Sequence, residues 1–371
     1  MSGRGPAAGF GTSHPWAELL RLPALFTVPG DALAGAAATG APRDSRTLLA
    51  IGSSLCLYEA GMALNDWADR EEDAAERPHR PLPSGRVRPA AALTAACALT
   101  AAGLALAARA GRPALSVAAP LAATVWAYDL RLKHTPAGPA AMATARALDL
   151  LLGAAATGGP IRRALPSAAV LGTHTLAVTH VSRNETQGGS SLAPLTALAA
   201  TGLLSALVSG VRAGGRGALT GSAASGTQGE PGMPTAPGRP PTPGTSAASR
   251  TPTGTGTSAP SSTPAASRTP AGSAAARPVS SPPPGPLRAA LPSALPTVLA
   301  ATYAATAARP YLHAALNPSP PLTQRAVGAG IRAAVPLQAA LTARSGAPVT
   351  AVLIAALAPL GRRFARKVSI T

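Results

Sequence analysis

The sequence predicts an all-α fold, a polytopic membrane helical bundle of nine or ten transmembrane helices. Hydrophobic residues make up 46% of the 371 positions and the mean hydropathy is +0.20, an apolar excess that is unusual for a soluble protein of this length. The apolar residues also occur in runs of about 20, the length that an α-helix needs to cross ~30 Å of hydrocarbon. These two observations assign the chain to the membrane-embedded class.

Ten apolar runs are candidate membrane spans. The first lies near residues 22–40, where Pro23, Pro29 and Asp31 interrupt the apolar pattern. Because further spans follow, we interpret it as a retained first helix and not as a signal peptide. The other candidates lie near residues 47–64, 90–108, 113–130, 138–159, 165–182, 191–211, 290–308, 324–343 and 348–361.

A low-complexity segment divides the chain. Of the 75 positions in residues 213–287, 64 are Ala, Gly, Ser, Thr or Pro, and the sequence AASRTP occurs twice. Such a segment has almost nothing to bury, so it predicts a disordered linker, interpreted as a tolerated loop insertion more readily than as a functional tether. The linker would separate residues 1–212, with the first seven helices and the acidic motif, from residues 288–371, with the final two or three helices and a basic tail.

The charge distribution bears on partners and on orientation. The formal net charge is +18, but the arginines lie mostly between apolar runs and accompany no nucleic-acid-binding motif, so nucleic acid is not an expected partner. With a cytoplasmic N-terminus, the cytoplasmic segments hold 16 Lys and Arg residues and the short opposite loops hold seven. The positive-inside rule therefore predicts a multi-pass protein of the cell membrane, and ten spans would return the basic tail to the cytoplasm.

The acidic residues of the chain are concentrated in one stretch. The stretch NDWADREEDAAERPHRPLPSG at residues 65–85 holds six carboxylates in eleven consecutive positions, although only 14 residues of the whole chain are acidic. Asp66, Asp69 and Asp73 are spaced i, i+3 and i+7, so on a helix they would lie within about 60° of arc. The spacing predicts three carboxylates on one helical face, at the cytoplasmic mouth of the bundle.

Neighbouring residues define this acidic face. Asn65 extends it, Glu71 lies on the other side as a solvated charge, and Glu59, one heptad before Asp66, lies on the same face within the second span. Ionisable residues at membrane depth are functional candidates. A row of carboxylates suits Mg²⁺ that bridges to a diphosphate, because Mg²⁺ takes few protein carboxylates and completes its shell with water and phosphate oxygens. A solvated helix end is the alternative.

These residues carry a family resemblance. NDWADREED resembles the NDxxDxxxD motif of the UbiA-type intramembrane prenyltransferases, and ERPHRPLPSG resembles the RPLPSG segment that follows it. The resemblance implies that Asp66, Asp69 and Asp73 are catalytic residues and magnesium ligands, and that Asn65 contacts a prenyl diphosphate. It also implies transfer of the prenyl group to an acceptor that the sequence does not identify, with the prenyl tail in an apolar tunnel and membrane lipid as the surroundings.

Basic residues near the motif are the expected phosphate contacts. Arg77 and Arg80 follow the aspartates, and a guanidinium suits phosphate oxygens; ordinary loop charge is the alternative. YDLRLK resembles the family's Tyr-Lys motif, with Tyr128 and Lys133 five positions apart where four is usual. Arg131 or Lys133 would reach the diphosphate, with a plain basic helix end as the alternative.

The family's second aspartate motif, DxxxD, is reduced in this chain. The segment THVSRNETQGG offers only Glu185 as a carboxylate. Glu185 with His180 and Asn184 forms a candidate second metal site, and Arg183 is a candidate phosphate contact. The segment SRNE resembles an S-R-x-E segment of EboC-type proteins, a bacterial branch of the family. A structural hydrogen bond is the alternative role for His180, and binding of a second metal stays open.

Two charged residues lie within the fifth span. Arg146 and Asp149 are spaced i and i+3, and we expect them to pair, because an unpaired charge at that depth is costly. The pair would either seat the substrate, with Arg146 as a contact, or fix helix packing.

Other functions remain possible from the sequence. A non-catalytic UbiA-like protein in lipid or metabolite handling is favoured only by the reduced second motif. A secondary transporter would show internal repeats, and the two halves show no such symmetry. A CDP-alcohol phosphotransferase would carry a DGxxAR segment, which the sequence lacks.

Overall fold

The structure is a computed structural model that describes residues 15–42, 44–184, 190–210 and 286–368. Within these ranges all regular secondary structure is helical, as the sequence predicts. Residues 213–285 of the predicted linker lie outside the described ranges, and so the predicted division of the chain into three segments stays a prediction.

The helices follow the apolar runs of the sequence. The described ranges contain α1 (Pro15–Leu19), α2 (Pro29–Thr39), α3 (Ser45–Ala68), α4 (Arg70–Glu76), α5 (Pro89–Ala110), α6 (Arg112–Ala127), α7 (Gly138–Ala156), α8 (Leu165–Arg183), α9 (Leu192–Ser209), α10 (Pro286–Leu316), α11 (Pro320–Arg344) and α12 (Pro348–Val368). Short 3₁₀-helices lie at Leu22–Thr27 and Ile161–Ala164, and a π-helical turn lies at Tyr128–Leu132. Helices such as α5, α11 and α12 begin at proline, whose missing N–H has no partner in a first turn anyway.

Each of the ten predicted spans is occupied by helical structure, but length and composition set some helices apart. Among the described residues, α3, α5, α9 and α11 are long and apolar enough to cross a membrane, and the apolar part of α12, Pro348–Gly361, is shorter. The predicted number of nine or ten crossings therefore stays a prediction.

The predicted first span, residues 22–40, is not one helix. Residues Leu22–Thr27 form a 3₁₀-helix, and α2 begins only at Pro29. A proline lacks the N–H that a helix interior needs and crowds the preceding turn, which explains why the continuous helix is broken there. With 11 residues, α2 is about 16 Å long, roughly half the thickness of a bilayer core.

Small residues bring α2 into backbone contact with α7. A Cβ atom added at Gly35 would lie 1.8 Å from the carbonyl oxygen of Leu150, and one added at Gly153 would lie 2.1 Å from that of Ala32. Only glycine permits such an approach, which is the packing typical of small-residue helix interfaces in membranes. This contact fixes the position of Asp31, near the start of α2, against α7.

The last three helices complete the same bundle. α10 packs on α9, α11 packs on α8 and α2, and α12 packs on the 3₁₀-helix at Leu22–Thr27. A buried polar cluster joins three of these helices: Nδ1 of His174 lies 3.1 Å from the hydroxyl of Tyr303, and Nε2 lies 3.0 Å from the carbonyl oxygen of Gly330. Residues on both sides of the low-complexity segment therefore form one helical unit.

Candidate active site

The aspartate motif lies at a break between two helices. α3 ends at Ala68, Asp69 has φ −88° and ψ 4°, and α4 begins at Arg70. The N–H groups of Asp69 and Asp73 still donate to the carbonyls of Asn65 and Asp69, at 2.9 and 2.8 Å. The prediction of one continuous helical face for the three aspartates is therefore wrong in detail. The helix is interrupted at Asp69, and its carboxylate pairs with Lys133, whereas those of Asp66 and Asp73 pair with arginines.

Asp66 and Asp73 converge on one arginine. Nη1 of Arg80 lies 2.7 Å from Oδ2 of Asp73 and 3.7 Å from Oδ1 of Asp66, and both carboxylates are buried. Nη1 of Arg77 lies 3.5 Å from Asp73, and Nη2 of Arg21 lies 3.4 Å from Asp66. Arg77 and Arg80, the predicted phosphate contacts, thus lie at the motif and neutralise carboxylates that would be costly to bury alone.

Asp69 faces a second basic element. Its Oδ1 atom accepts a hydrogen bond from Nζ of Lys133, and Nε2 of His134 lies 3.9 Å from the same oxygen. The N–H of Lys133 donates to the carbonyl of Tyr128 at 2.9 Å, which closes the π-helical turn. A π-turn absorbs one extra residue, so the five-position spacing brings Lys133 back over Tyr128. Of the two predicted basic candidates, Lys133 reaches the motif, whereas Arg131 is exposed.

A cavity of about 330 Å³ adjoins the motif and is lined by α3, α6, α7 and Arg21. Polar residues stand at the end next to the motif, where Nδ2 of Asn65 donates to Oδ1 of Asp129 at 3.2 Å beside Tyr128. Apolar side chains line the middle: Leu57, Met62, Leu121, Val125 and Met142. A polar mouth with an apolar interior suits a ligand that has an anionic head and a hydrocarbon tail.

The opposite end of the cavity is polar as well. Oγ of Ser54 donates to Oδ1 of Asp149 at 2.5 Å, and Nε of Arg146 lies 2.9 Å from Oδ2 of Asp31. The predicted pairing of Arg146 with Asp149 is therefore wrong. The i, i+3 rule considers partners on one helix, whereas close packing of α2 and α3 on α7 offers each charge a partner from another helix.

The second predicted site is described only in part. Glu185, the candidate second metal ligand, lies outside the described residues. Arg183 donates to the carbonyl of Thr135, in the loop before α7, and Nδ2 of Asn184 donates to the carbonyl of His180 at 2.8 Å. Arg183 thus contacts the loop that follows the π-turn, and its contact with phosphate stays a prediction.

Sequence reasoning did not identify several polar residues of the site. Arg21, with φ 47°, is the one non-glycine residue of the described ranges in the left-handed region, a conformation that such residues rarely adopt. Asp129 is a buried acid at the end of an apolar run, and that position was an available signal. Gln338 donates to Asp31 at 2.6 Å from 307 positions away, and no short-range pattern indicates it. Glu59, by contrast, was predicted on the acidic face; it is buried, and its carboxylate has no hydrogen-bond partner among the described residues.

Groups that could bind a metal ion, two carboxylates and an imidazole, cluster at the mouth. Asp69, Glu72 and His134 offer donor atoms that lie within 4.8 Å of one another. Asp66 and Asp73 approach a shared guanidinium, so a cation already lies between them. Carboxylates in this arrangement suit Mg²⁺, which takes a few protein oxygens and completes its shell with water and phosphate. The residues present therefore fit the predicted magnesium.

The fold and the site define a helical membrane protein with an acidic, base-flanked mouth above an apolar cavity. Residues 24–195, which include the mouth and the cavity-lining parts of α3, α6 and α7, match the UbiA prenyltransferase family. This match confirms the resemblance predicted from NDWADREED. The family match and the four apolar helices together identify an integral membrane protein.

The chain is similar to several known proteins. The digeranylgeranylglyceryl phosphate synthase of Methanopyrus kandleri is 37% identical over 115 residues, which are 31% of this chain and 41% of the relative, so the match spans less than half of that protein. A structure of digeranylgeranylglyceryl phosphate synthase in membranes has 14% identity and a TM-score of 0.50, over 89% of this chain and 97% of that chain, and supports the fold. A UbiA homologue from Archaeoglobus fulgidus, bound to DMAPP and Mg²⁺, has 17% identity and a TM-score of 0.45, over 53% of this chain and 77% of that chain.

Proposed function

We propose that the protein is a membrane prenyltransferase that moves a prenyl group from a prenyl diphosphate to an acceptor, with loss of diphosphate. The observation that carries the proposal is the mouth of the cavity, where buried Asp66 and Asp73 and the more exposed Asp69 meet basic side chains above an apolar chamber. The family match over residues 24–195 supports the same activity.

The basic residues of the mouth are the proposed diphosphate contacts. Arg21, Arg77, Arg80 and Lys133 each lie within 4 Å of a motif carboxylate. Basic side chains bind phosphate oxygens as well as carboxylate oxygens. When a diphosphate binds, these residues can therefore leave the motif carboxylates and contact the phosphate oxygens instead. Positioned positive charge of this kind is the largest single contribution to reactions that expel an anion.

The motif acids are the proposed magnesium ligands. Three carboxylates would repel a diphosphate, so Asp66, Asp69 and Asp73 need a cation between themselves and the substrate, and Asn65 adds a neutral contact. Magnesium bound there would neutralise the negative charge that develops on the leaving diphosphate. The acids would hold that positive charge at the mouth, which would leave the apolar cavity to the hydrocarbon tail.

The reaction exchanges one bond at the allylic carbon for another. The C–O bond breaks and its electron pair leaves with the diphosphate, while a nucleophile on the acceptor supplies the electron pair of the new bond and loses its proton. Apolar walls such as Leu57, Met62 and Val125 exclude water, which would otherwise capture the cation-like carbon. The acceptor stays open, since an aromatic ring, a sugar or another polar nucleophile fits this chemistry.

We place the mouth on the cytoplasmic side of a multi-pass protein of the cell membrane. The support is the excess of Lys and Arg in the segments on the motif's side of the bundle, including Arg77, Arg80 and the basic tail after residue 361. Prenyl diphosphates would then bind from the cytoplasmic face.

Incubation of the purified full-length protein with radiolabelled prenyl diphosphates and a lipid or metabolite extract tests the proposal. We expect label to enter a new product with release of diphosphate, only in the presence of Mg²⁺. Asp66→Asn should lower this transfer, and Glu71→Gln is the matched control, because it removes an exposed carboxylate away from the cavity. A protein that neither transfers label nor binds prenyl diphosphate in a Mg²⁺-dependent way would contradict the proposal.

A further inference from the structure

The cavity has a measurable depth along α3. Its lining residues on this helix are spaced i, i+3, i+4, i+7, i+8 and i+11 and form one face: Ser54, Leu57, Tyr58, Gly61, Met62 and Asn65. At 1.5 Å per residue, the 11 steps from Asn65 at the mouth to Ser54 at the far end span about 16 Å. α7 runs alongside and reaches the far end at Asp149, the partner of Ser54.

Polar groups that hold one another stand at the far end of the cavity. We call them the polar floor: Ser54, Arg146 and Asp149, which line the cavity, and Asp31, which pairs with Arg146 behind them. Ser54 donates to Asp149, and Arg146 is paired with Asp31 and also donates to the carbonyl of Thr27 at 3.3 Å. Gln338 from α11 donates to Asp31 and to Thr27, at 2.6 and 2.8 Å. Partners from separate helices therefore hold the polar floor in place.

A second cavity lies on the other side of the polar floor. It has a volume of about 500 Å³ and is lined mainly by apolar residues of α10, α11 and α12, together with Phe26 and Thr27. Arg146 lines the first cavity and Thr27 lines the second, and a hydrogen bond joins the two residues. The wall between the cavities is therefore thin, and its polar character comes from the floor.

We propose that the polar floor limits the prenyl donor to about three isoprene units, an inference that rests on the proposed function. Four chain bonds of about 1.5 Å in a zigzag give an isoprene unit a length of roughly 5 Å. About three such units fill the depth below a diphosphate held at the mouth. A fourth unit would have to displace the Arg146–Asp31 pair, which leaves buried charges without partners, or to leave the cavity.

The floor does not serve the acceptor. The bond forms at the first carbon of the donor, next to the diphosphate, so the acceptor's nucleophile must lie near Asn65 and Asp129 at the mouth. Ser54 and its partner Asp149, about 16 Å deeper, are therefore remote from the reacting atoms. Their position is that of an end stop for the hydrocarbon tail.

The test measures binding of unreactive prenyl thiolodiphosphates of one to four isoprene units to the purified full-length protein with Mg²⁺. Each added unit up to the third should tighten binding by about tenfold or more, because it buries apolar surface. The fourth isoprene unit should change the affinity by less than about twofold or lower it. Continued tightening from three to four units overturns the length limit and leaves the proposed function standing, whereas absence of Mg²⁺-dependent binding at every length overturns the proposed function.

Two variants shift the limit in opposite directions. Ala145→Leu places extra bulk beside the floor and should weaken the three-unit analogue relative to the two-unit analogue by about tenfold; Ala140→Leu, at an exposed position of α7, is the matched control. Asp31→Asn with Arg146→Ala removes both charges together and thins the wall to the second cavity. It should raise the four-unit to three-unit affinity ratio about tenfold. If Ala145→Leu behaves as Ala140→Leu does, or a folded double variant keeps the wild-type ratio, the proposal is overturned.

Discussion

Replacing each motif aspartate by asparagine distinguishes a metal-binding mouth from a merely acidic loop. Asparagine keeps the size and much of the hydrogen bonding but removes one negative charge. The exposed side-chain fraction is 6% for Asp66, 3% for Asp73 and 19% for Asp69. Glu71 is 87% exposed, and its ion-pair partner within the described part of the chain is its neighbour Arg70. The aspartates therefore act where water screens little, and Glu71 acts where water screens most.

We expect each aspartate variant to lower turnover ten- to a thousand-fold, or about 1.4 to 4 kcal/mol of barrier at 1.36 kcal/mol per decade. Asp66→Asn and Asp73→Asn should lie at the upper end, because both residues are buried and both pair with Arg80. Loss of either carboxylate therefore also disturbs the position of Arg80. Asp69→Asn should lie at the lower end, because its site is wetter. Glu71→Gln should change turnover by less than about twofold.

The assay is the initial rate of label transfer from a prenyl diphosphate, measured across a Mg²⁺ titration, with binding of an unreactive analogue measured in parallel. The aspartate variants should require more Mg²⁺ and bind the analogue less tightly only when Mg²⁺ is present. Equal and small effects of all four substitutions would refute the reasoning, because an acidic loop responds to net charge and treats them alike.

Further predictions concern the second basic element and the parts outside the described residues. Lys133→Met should lower turnover about tenfold, because it removes the positive charge that pairs with Asp69, whereas Arg131→Met should leave the rate unchanged. Equal rates of the two variants would show that Lys133 is not part of the site. Glu185→Gln should weaken the Mg²⁺ dependence of the folded protein if this residue completes a second site, and an unchanged titration would exclude it. Deletion of residues 220–283 should preserve membrane insertion and activity, because the sequence of this segment predicts a disordered insertion with little apolar surface to bury; an inserted but inactive deletion variant would contradict the insertion hypothesis.

Local sequence patterns determined most helices and the identity of the motif. The span predicted near residues 90–108 is α5, Pro89–Ala110, and that predicted near 165–182 is α8, Leu165–Arg183. Such boundaries depend on apolar runs and prolines, which act on the neighbouring backbone. The same local chemistry breaks the predicted span at residues 22–40, because Pro29 interrupts the helix although the whole segment is apolar.

The Tyr-Lys motif keeps its geometry in spite of an extra residue, through a π-turn that the sequence did not predict. The extra residue between Tyr128 and Lys133 weakened the match to the family pattern, and the π-turn showed how the backbone absorbs it. Whether an added residue lengthens a loop or widens a helical turn depends on the packing of the surrounding helices, which the spacing alone does not record.

The partners of the charged side chains were decided by tertiary structure. Arg146 pairs with Asp31 and not with Asp149, because the contact of Gly35 and Gly153 with opposite backbones brings α2 against α7. Gln338 reaches the same carboxylate from the far end of the chain. A sequence records which charges are present and which lie one helical turn apart, but a buried charge takes the nearest group in space, and that group is set by how closely the helices pack.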